Sequence, residues 1–343
     1  MLLTGHTGFK GSWMALWLEK MGAQVVGFAL PPQTDASLYE RARVDRGIDS
    51  VLGDLNDTQS VARVVAHAKP QIVIHMAAQS LVRRALEEPS ETVATNVLGT
   101  AHLLQALRHA DALEAVLAVT SDKVYANDER EHAFGETDPL GGRDIYSASK
   151  AAQELVVGAF RQSYFRTKGV PLATARGGNV LGGGDIAAHR IVPDIVRAVA
   201  QGQKPRLRAP NATRPWQHVL DCLCGYLLFT EGLVLRRCND TALNFGPESR
   251  GSVTVAHIAE SMLAALGSSI AWEHVPDADS VEMKTLVVDA ARAHEALNWR
   301  PRFQGDSIVN ATAAWYRAVA KGEDPRSVTL KRGPSASLVN QVW

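Results

Sequence analysis

Gly5-His6-Thr7-Gly8-Phe9-Lys10-Gly11 follows the short apolar run Met1–Thr4 and precedes the helix-like stretch Ser12–Lys20. A tight turn from strand to helix needs glycine's dihedral freedom, and a backbone that approaches a pyrophosphate has no room for a Cβ. The helix that follows then offers free N–H groups to the phosphates. A glycine-rich turn by itself is a weak signal. At the first strand–helix junction of the chain it reads as the phosphate loop of a dinucleotide-binding fold. Gly5, Thr7, Gly8, Phe9, Lys10 and Gly11 are therefore candidate cofactor residues.

Outward from this loop, short apolar runs alternate with helix-like stretches. Ala23–Ala29, Ile72–Met76 and Leu113–Thr120 read as strands, and Val61–Ala68, Thr95–His109 and Ser147–Phe165 as helices. That rhythm implies parallel strands joined by crossover helices, hence an α/β doubly wound Rossmann sheet spanning residues 1–176. From about Gly177 the rhythm breaks. Gly182–Gly184, Pro193, Pro205, Pro210 and Pro215 crowd a region with shorter helix-like pieces. The expectation is a smaller α/β substrate-binding region over 177–330 at the sheet's C-terminal edge, with the chain returning to the sheet around 215–245. Lys331–Trp343 lacks an amphipathic pattern and reads as a tail.

The 343 residues carry 36 Lys+Arg and 36 Asp+Glu. A net charge of zero argues against a nucleic-acid partner, which usually demands a basic excess. No apolar run approaches the roughly 18–20 residues needed to span a bilayer. Nothing at the start resembles a secretion signal, so no membrane partner is expected and the cytoplasm is the expected location. Cys222, Cys224 and Cys238 are too few for a disulfide framework and read as reduced core residues. No metal site is expected.

An acidic residue about 20 positions beyond the glycine loop commonly grips the adenosine ribose of NAD. Here the second strand ends Phe28-Ala29-Leu30-Pro31-Pro32, and Arg41 and Arg43 further on could meet a 2′-phosphate. NAD is expected, with NADP open. Asp54 follows a third strand-like run, as an adenine contact or as a helix N-cap.

Tyr146 and Lys150 stand at i and i+4, on one face of a helix. A phenol with a pKa of about 10 is a poor base at neutral pH, and a nearby ammonium favours its phenolate. Upstream, Ser121-Asp122-Lys123-Val124-Tyr125 leaves the buried run Val116–Val119. In an open α/β sheet the carboxyl ends of strands line the ligand crevice, so these polar residues read as a site.

Together, Gly5–Gly11, Ala77-Ala78-Gln79, Thr95-Asn96-Val97, Ser121–Tyr125 and Tyr146–Lys150 resemble the extended short-chain dehydrogenase/reductase superfamily. Longer strings are similar to the CDP-glucose type of nucleotide-sugar 4,6-dehydratase within it: Gly5–Trp13, Leu81-Val82-Arg83-Arg84, Ser121-Asp122-Lys123, Gly178–Asp185 and Thr213–Val219. The resemblance covers roughly residues 1–330.

It implies an enzyme that oxidises, eliminates and reduces within one site. Tyr146 would take the proton of a glucose 4-hydroxyl while C4 yields hydride to NAD. Ser121 would bond that oxygen, and Lys150 would keep Tyr146 anionic. Asp122 would be the acid and Lys123 the base of water elimination, where dTDP-glucose relatives carry Asp-Glu. Asp54, Leu55, Ala77, Ala78, Gln79 and Asn96, with Tyr146 and Lys150, would hold the cofactor. Arg83, Arg84, Asn179, Arg190 and Arg214 would hold the nucleotide sugar. One departure is that Ala85-Leu86 follow Arg84, where the family usually has Ser-Tyr. A homodimer is the implied assembly. Another nucleotide-hexose dehydratase or a 4-epimerase is the alternative, and a non-catalytic NAD(P)-binding regulator the more distant one.

Overall fold

Ile72–His75 and Ala115–Val119 are buried at every position. Such runs carry no apolar–polar alternation and belong in a sheet covered on both faces. The structure is a computed structural model that describes residues 1–128, 132–248, 253–276 and 285–331. Its centre is a wholly parallel seven-stranded sheet. The strands are β1 (Leu2–Thr4), β2 (Val26–Ala29), β3 (Asp49–Leu52), β4 (Ile72–His75), β5 (Ala115–Val119), β6 (Leu172–Gly177) and β7 (Ala242–Phe245). Their order is β7-β6-β5-β4-β1-β2-β3, so the winding reverses between β1 and β4. A crevice opens at such a reversal, outside the carboxyl ends of the strands.

Alternate strand residues feed two cores. Leu3, Ile74, Leu117, Ala175 and Phe245 pack with helices α1 (Phe9–Lys20) and α6 (Val219–Val234). Leu2, Val73, Val116 and Leu172 pack with α2 (Thr58–Ala68), α3 (Gly99–Leu107) and α4 (Ile145–Phe160) on the other face. Residues Gly11–Leu18 of α1 are all buried, so this helix has no polar stripe. A third core joins α5 (Ile191–Ala200), α7 (Val255–Leu266) and α8 (Asp306–Ala320) in the C-terminal region.

α9 (Pro325–Lys331) returns to the start of the fold. Arg326 pairs with Glu19 and donates to the backbone oxygens of Ala42 and Arg43 at 3.1 and 3.0 Å. Lys20 Nζ donates to the Leu330 carbonyl at 2.9 Å, and Trp315 Nε1 to Thr329 Oγ1 at 3.0 Å.

Several elements differ from their sequence reading. The first helix begins at Phe9, inside the glycine loop, because Gly8 is its N-cap. The Thr95–His109 stretch opens with a π-turn at Ala94–Leu98, and α4 runs into another at Arg161–Phe165. The C-terminal half is not poorer in long helices: α6 has 16 residues and α8 has 15. Lys331 ends α9 and is not tail, while 332–343 lie outside the described residues.

Candidate active site

The three loop glycines answer to different neighbours. Gly5 has φ +80°, and a Cβ there would stand 2.7 Å from Ala77 N. At Gly11 a Cβ would lie 2.0 Å from the Gly5 carbonyl oxygen. Both glycines are demanded by the chain's own packing. At exposed Gly8 a Cβ would meet nothing closer than 3.4 Å. Protein packing does not require glycine there, whereas close approach of a pyrophosphate does. The loop thus fits a dinucleotide, with the N-terminus of α1 behind it. Thr7 Oγ1 donates to the Leu30 carbonyl at 2.9 Å, tying the loop to the end of β2. Buried His6 bonds Ser50 Oγ through Nε2 at 2.8 Å, and burial pushes its pKa down to about 4.

At the adenosine end, Asp54 Oδ1 accepts from Asn56 N at 2.9 Å in a local turn. It is not a helix cap, since Asp57 caps α2. Leu55 is buried beside it in the core under α2 and α3. Arg43 does not stand ready for a 2′-phosphate, because its guanidinium pairs with Asp324 at 2.9 Å. Arg41 is exposed. Ala77, Ala78 and Gln79 leave β4 opposite Gly5. Asn96 lies beneath that loop rather than at its surface. Fully buried by the π-turn, it accepts from Gln79 N at 2.9 Å and donates to Gln79 O at 3.0 Å and Ser149 Oγ at 2.9 Å. Its amide is used up in positioning the loop.

Ser121, Asp122, Lys123, Tyr146 and Lys150 converge where β5 ends against α4. Ser121 caps a single turn, Asp122–Val124, accepting from Lys123 N at 3.2 Å. Asp144 and Ser147 form a capping box at the start of α4, which fixes Tyr146 in the first turn. Lys123 Nζ lies 6.0 Å from the Tyr146 ring centroid.

Asp122 is 1% exposed and packs on Gly178, where a Cβ would fall 1.9 Å from Oδ1. Its Oδ1 accepts from Ser121 Oγ at 3.1 Å, and Oδ2 has no partner among the described residues. Burial raises the Asp122 pKa, although Lys123, Ser121, Arg214 and Lys10 pull it down. Burial favours the protonated carboxyl, the form that a general acid needs.

Tyr146 and Lys150 are both deeply buried. Burial pushes the phenol up to about 12, with the Asp122 charge adding; Ser121's hydrogen bond and Arg190's charge oppose this. Burial, then the Lys10 charge, pushes the Lys150 ammonium down to about 7. Lys150 Nζ donates to Gln153 Oε1 at 2.8 Å and to the Val119 carbonyl at 3.3 Å. Burial thus works against the Tyr146 phenolate and the Lys150 ammonium alike.

The substrate candidates divide. Arg214 is buried within electrostatic reach of Asp122. Arg190 reaches Ser80 Oγ at 2.9 Å and Asp185 Oδ2 at 3.0 Å, joining the C-terminal region to the loop after β4. Neither Ser80 nor Asp185 was a sequence candidate, since a lone serine and a carboxylate after glycines give no pattern. Asn179, at φ 48°, has a buried Oδ1 with no partner among the described residues. Arg83 is half-buried. Arg84 pairs with Glu91 at 2.9 Å on the surface. Trp216 and His218 are buried, the former donating to the Val253 carbonyl and the latter capping α6. Among the described residues no group of three or more His, Cys, Asp or Glu could hold a metal, and no helix is long and apolar enough to cross a membrane.

The family model described as GDP-mannose 4,6 dehydratase matches residues 2–312. A CDP-glucose 4,6-dehydratase of Salmonella typhimurium is 41% identical over 334 residues, covering 94% of this chain and 92% of that protein. A dTDP-glucose 4,6-dehydratase of Streptomyces antibioticus is 32% identical, covering 92% of each. Among solved structures, a dTDP-glucose 4,6-dehydratase of Bacillus anthracis in complex with NAD superposes with a TM-score of 0.78 at 21% identity, covering 95% of this chain and 98% of that one. A Thermus thermophilus UDP-glucose 4-epimerase with NAD gives 0.81 at 24%, covering 92% and 98%. These two superpositions speak to the fold.

Proposed function

This chain belongs to the GDP-mannose 4,6 dehydratase family, and from that premise we propose that it is an NAD-dependent 4,6-dehydratase converting CDP-glucose to CDP-4-keto-6-deoxyglucose. The observation that carries the reaction class is the pair Asp122–Lys123 beside Tyr146, with Asp122 buried so that its pKa is raised. A 4-epimerase needs a tyrosine, a lysine and a serine but no second acid–base pair. The choice of CDP-glucose is supported by the 41% identical relative of that name.

The loop Gly5–Gly11, Asp54, Leu55, Ala77–Gln79 and Lys150 would hold NAD, which when bound takes up the C4 hydride and gives a hydride to C6. Tyr146 accepts the 4-hydroxyl proton while Ser121 bonds the same oxygen. The resulting 4-ketone acidifies the C5 proton, which Lys123 removes and returns to C5 once C6 has received its hydride. Asp122 gives its proton to the departing 6-hydroxyl. Arg214 and Arg190 hold the diphosphate through planar, forked guanidinium groups, and Asn179 bonds phosphate or sugar.

Exposed Leu86, Val93, Leu98 and Leu155 lie on α4 and the helices packed against it, which supports a homodimer through that face. The three free cysteines suit the reducing cytoplasm. Incubation with CDP-, UDP-, GDP- and dTDP-hexoses, read by 4-keto absorbance in alkali, tests the activity. Turnover of CDP-glucose is expected; product only from another nucleotide hexose would overturn the substrate, and epimer without ketone would overturn the reaction class.

A further inference from the structure

Glu154 follows Lys150 by one turn on α4 and is 6% exposed, yet it faces no reacting group. Each of its oxygens accepts two hydrogen bonds. Oε1 accepts from Thr120 Oγ1 at 2.6 Å and Arg176 Nε at 3.0 Å; Oε2 accepts from Thr174 Oγ1 at 2.8 Å and Arg176 Nη2 at 2.9 Å. Arg176 Nη1 in turn donates to Tyr125 Oη at 3.0 Å and the Glu136 carbonyl at 3.1 Å. Tyr125 Oη donates to Asn244 Oδ1 on β7 at 2.6 Å.

The partners of this ion pair stand at the edges of the site. Thr120 precedes Ser121, Tyr125 ends the turn that carries Asp122 and Lys123, and Arg176 lies just before Gly177 and Gly178, on the second of which Asp122 packs. Tyr146 and Lys150 sit on the same helix as Glu154. A buried, fully bonded ion pair adds little net stability over apolar residues of the same volume, so its value here lies in placement.

We propose that Glu154 and Arg176 are positioning residues that set the redox pair Tyr146–Lys150 in register with the elimination pair Asp122–Lys123. The inference rests on the dehydratase reading above. A displacement of about 1 Å between such groups can cost on the order of 100-fold in rate, and the ion pair spans all three elements that could slide. Glu154 also supports the Lys150 ammonium against burial.

The test compares Glu154→Gln, the double variant Glu154→Gln/Arg176→Met, which removes both charges while keeping volume, and Thr120→Val, which leaves the ion pair intact. The expected result is a kcat for CDP-glucose lower by on the order of 100-fold in the double variant at nearly unchanged KM, with a smaller loss in Thr120→Val. The Lys150 13Cε resonance, titrated without substrate, should move its midpoint from about 7 to lower pH in Glu154→Gln. Unchanged kcat and an unmoved Lys150 midpoint in folded variants would overturn the proposal. Should the double variant fail to fold, Thr120→Val and the Glu154→Gln titration decide alone. A wild-type chain inactive on every nucleotide hexose, yet showing the Lys150 shift, would sink the dehydratase reading and leave the electrostatic link standing.

Discussion

Asp122 and Lys123 are neighbours in sequence but live in different surroundings: the carboxyl is sealed against Gly178, while the lysine is half-buried and above the Tyr146 ring. Separate environments are what the proposed acid and base roles require of one dipeptide. Lys123→Ala should abolish water elimination while sparing the first oxidation, seen as a burst of reduced-nicotinamide absorbance without 4-keto product. Equal loss of both half-reactions would contradict its role as base. Asp122→Asn should lower kcat by about 10²–10⁴-fold with the same burst retained.

The depressed Lys150 leaves a mark on stability. Between its folded value of about 7 and its ordinary value of 10.5 the unfolded chain binds a proton that the native chain does not. Stability should therefore climb with pH across that window. Denaturant midpoints measured at about pH 7 and about pH 10 should differ less in Lys150→Met than in the wild type. The residue types of the site were legible from spacing and from the family's strings. Their charge states were not, because burial, which sets the values of Tyr146 and Lys150, depends on what the rest of the fold lays over them. Nor was the pairing of Arg84 with Glu91 legible, since it depends on how two short helices are set against each other.

Among the elements, the strand–loop–helix unit was readable because each of its glycines has a separate physical cause. That separation can be measured. Gly11→Ala should cost several kcal/mol, on the order of an overpacked core site, because its Cβ would press on a backbone carbonyl that cannot give way. Gly8→Ala should leave the thermal midpoint in place and weaken NAD binding in calorimetric titration by about tenfold or more. A Gly8→Ala protein that binds NAD as tightly as wild type would remove the loop from the cofactor site. The π-turn at Ala94–Leu98 was not readable: its apolar spacing over a few residues is that of an ordinary helix, and only the inward turn of Asn96 reveals it. The long α6 and α8 were obscured by Gly182–Gly184, Pro205, Pro210 and Pro215, which crowd the region but lie outside both helices.

Over the whole molecule, the α/β order of elements followed from the sequence, whereas the return of α9 onto α1 did not. Nothing local announces a contact between residues 307 positions apart. Arg326→Ala should lower stability by about 1–2 kcal/mol in urea denaturation, since it frees Glu19 and two backbone carbonyls at a partly buried site. The exposed leucines on the α4 face belong to the same scale: Leu155→Glu should convert the proposed dimer to a monomer by light scattering, at unchanged secondary structure. A wild type that runs as a monomer would rule that assembly out.

The contact of α9 with α1 also orders events during synthesis. A ribosome that has made α1 and the segment through Arg43 has made only one side of this contact: Glu19, Lys20 and the carbonyls of Ala42 and Arg43 meet their partners when Arg326 and Leu330 emerge. A protease cut between α8 and α9 should therefore loosen the last turn of α1, seen as faster amide exchange there.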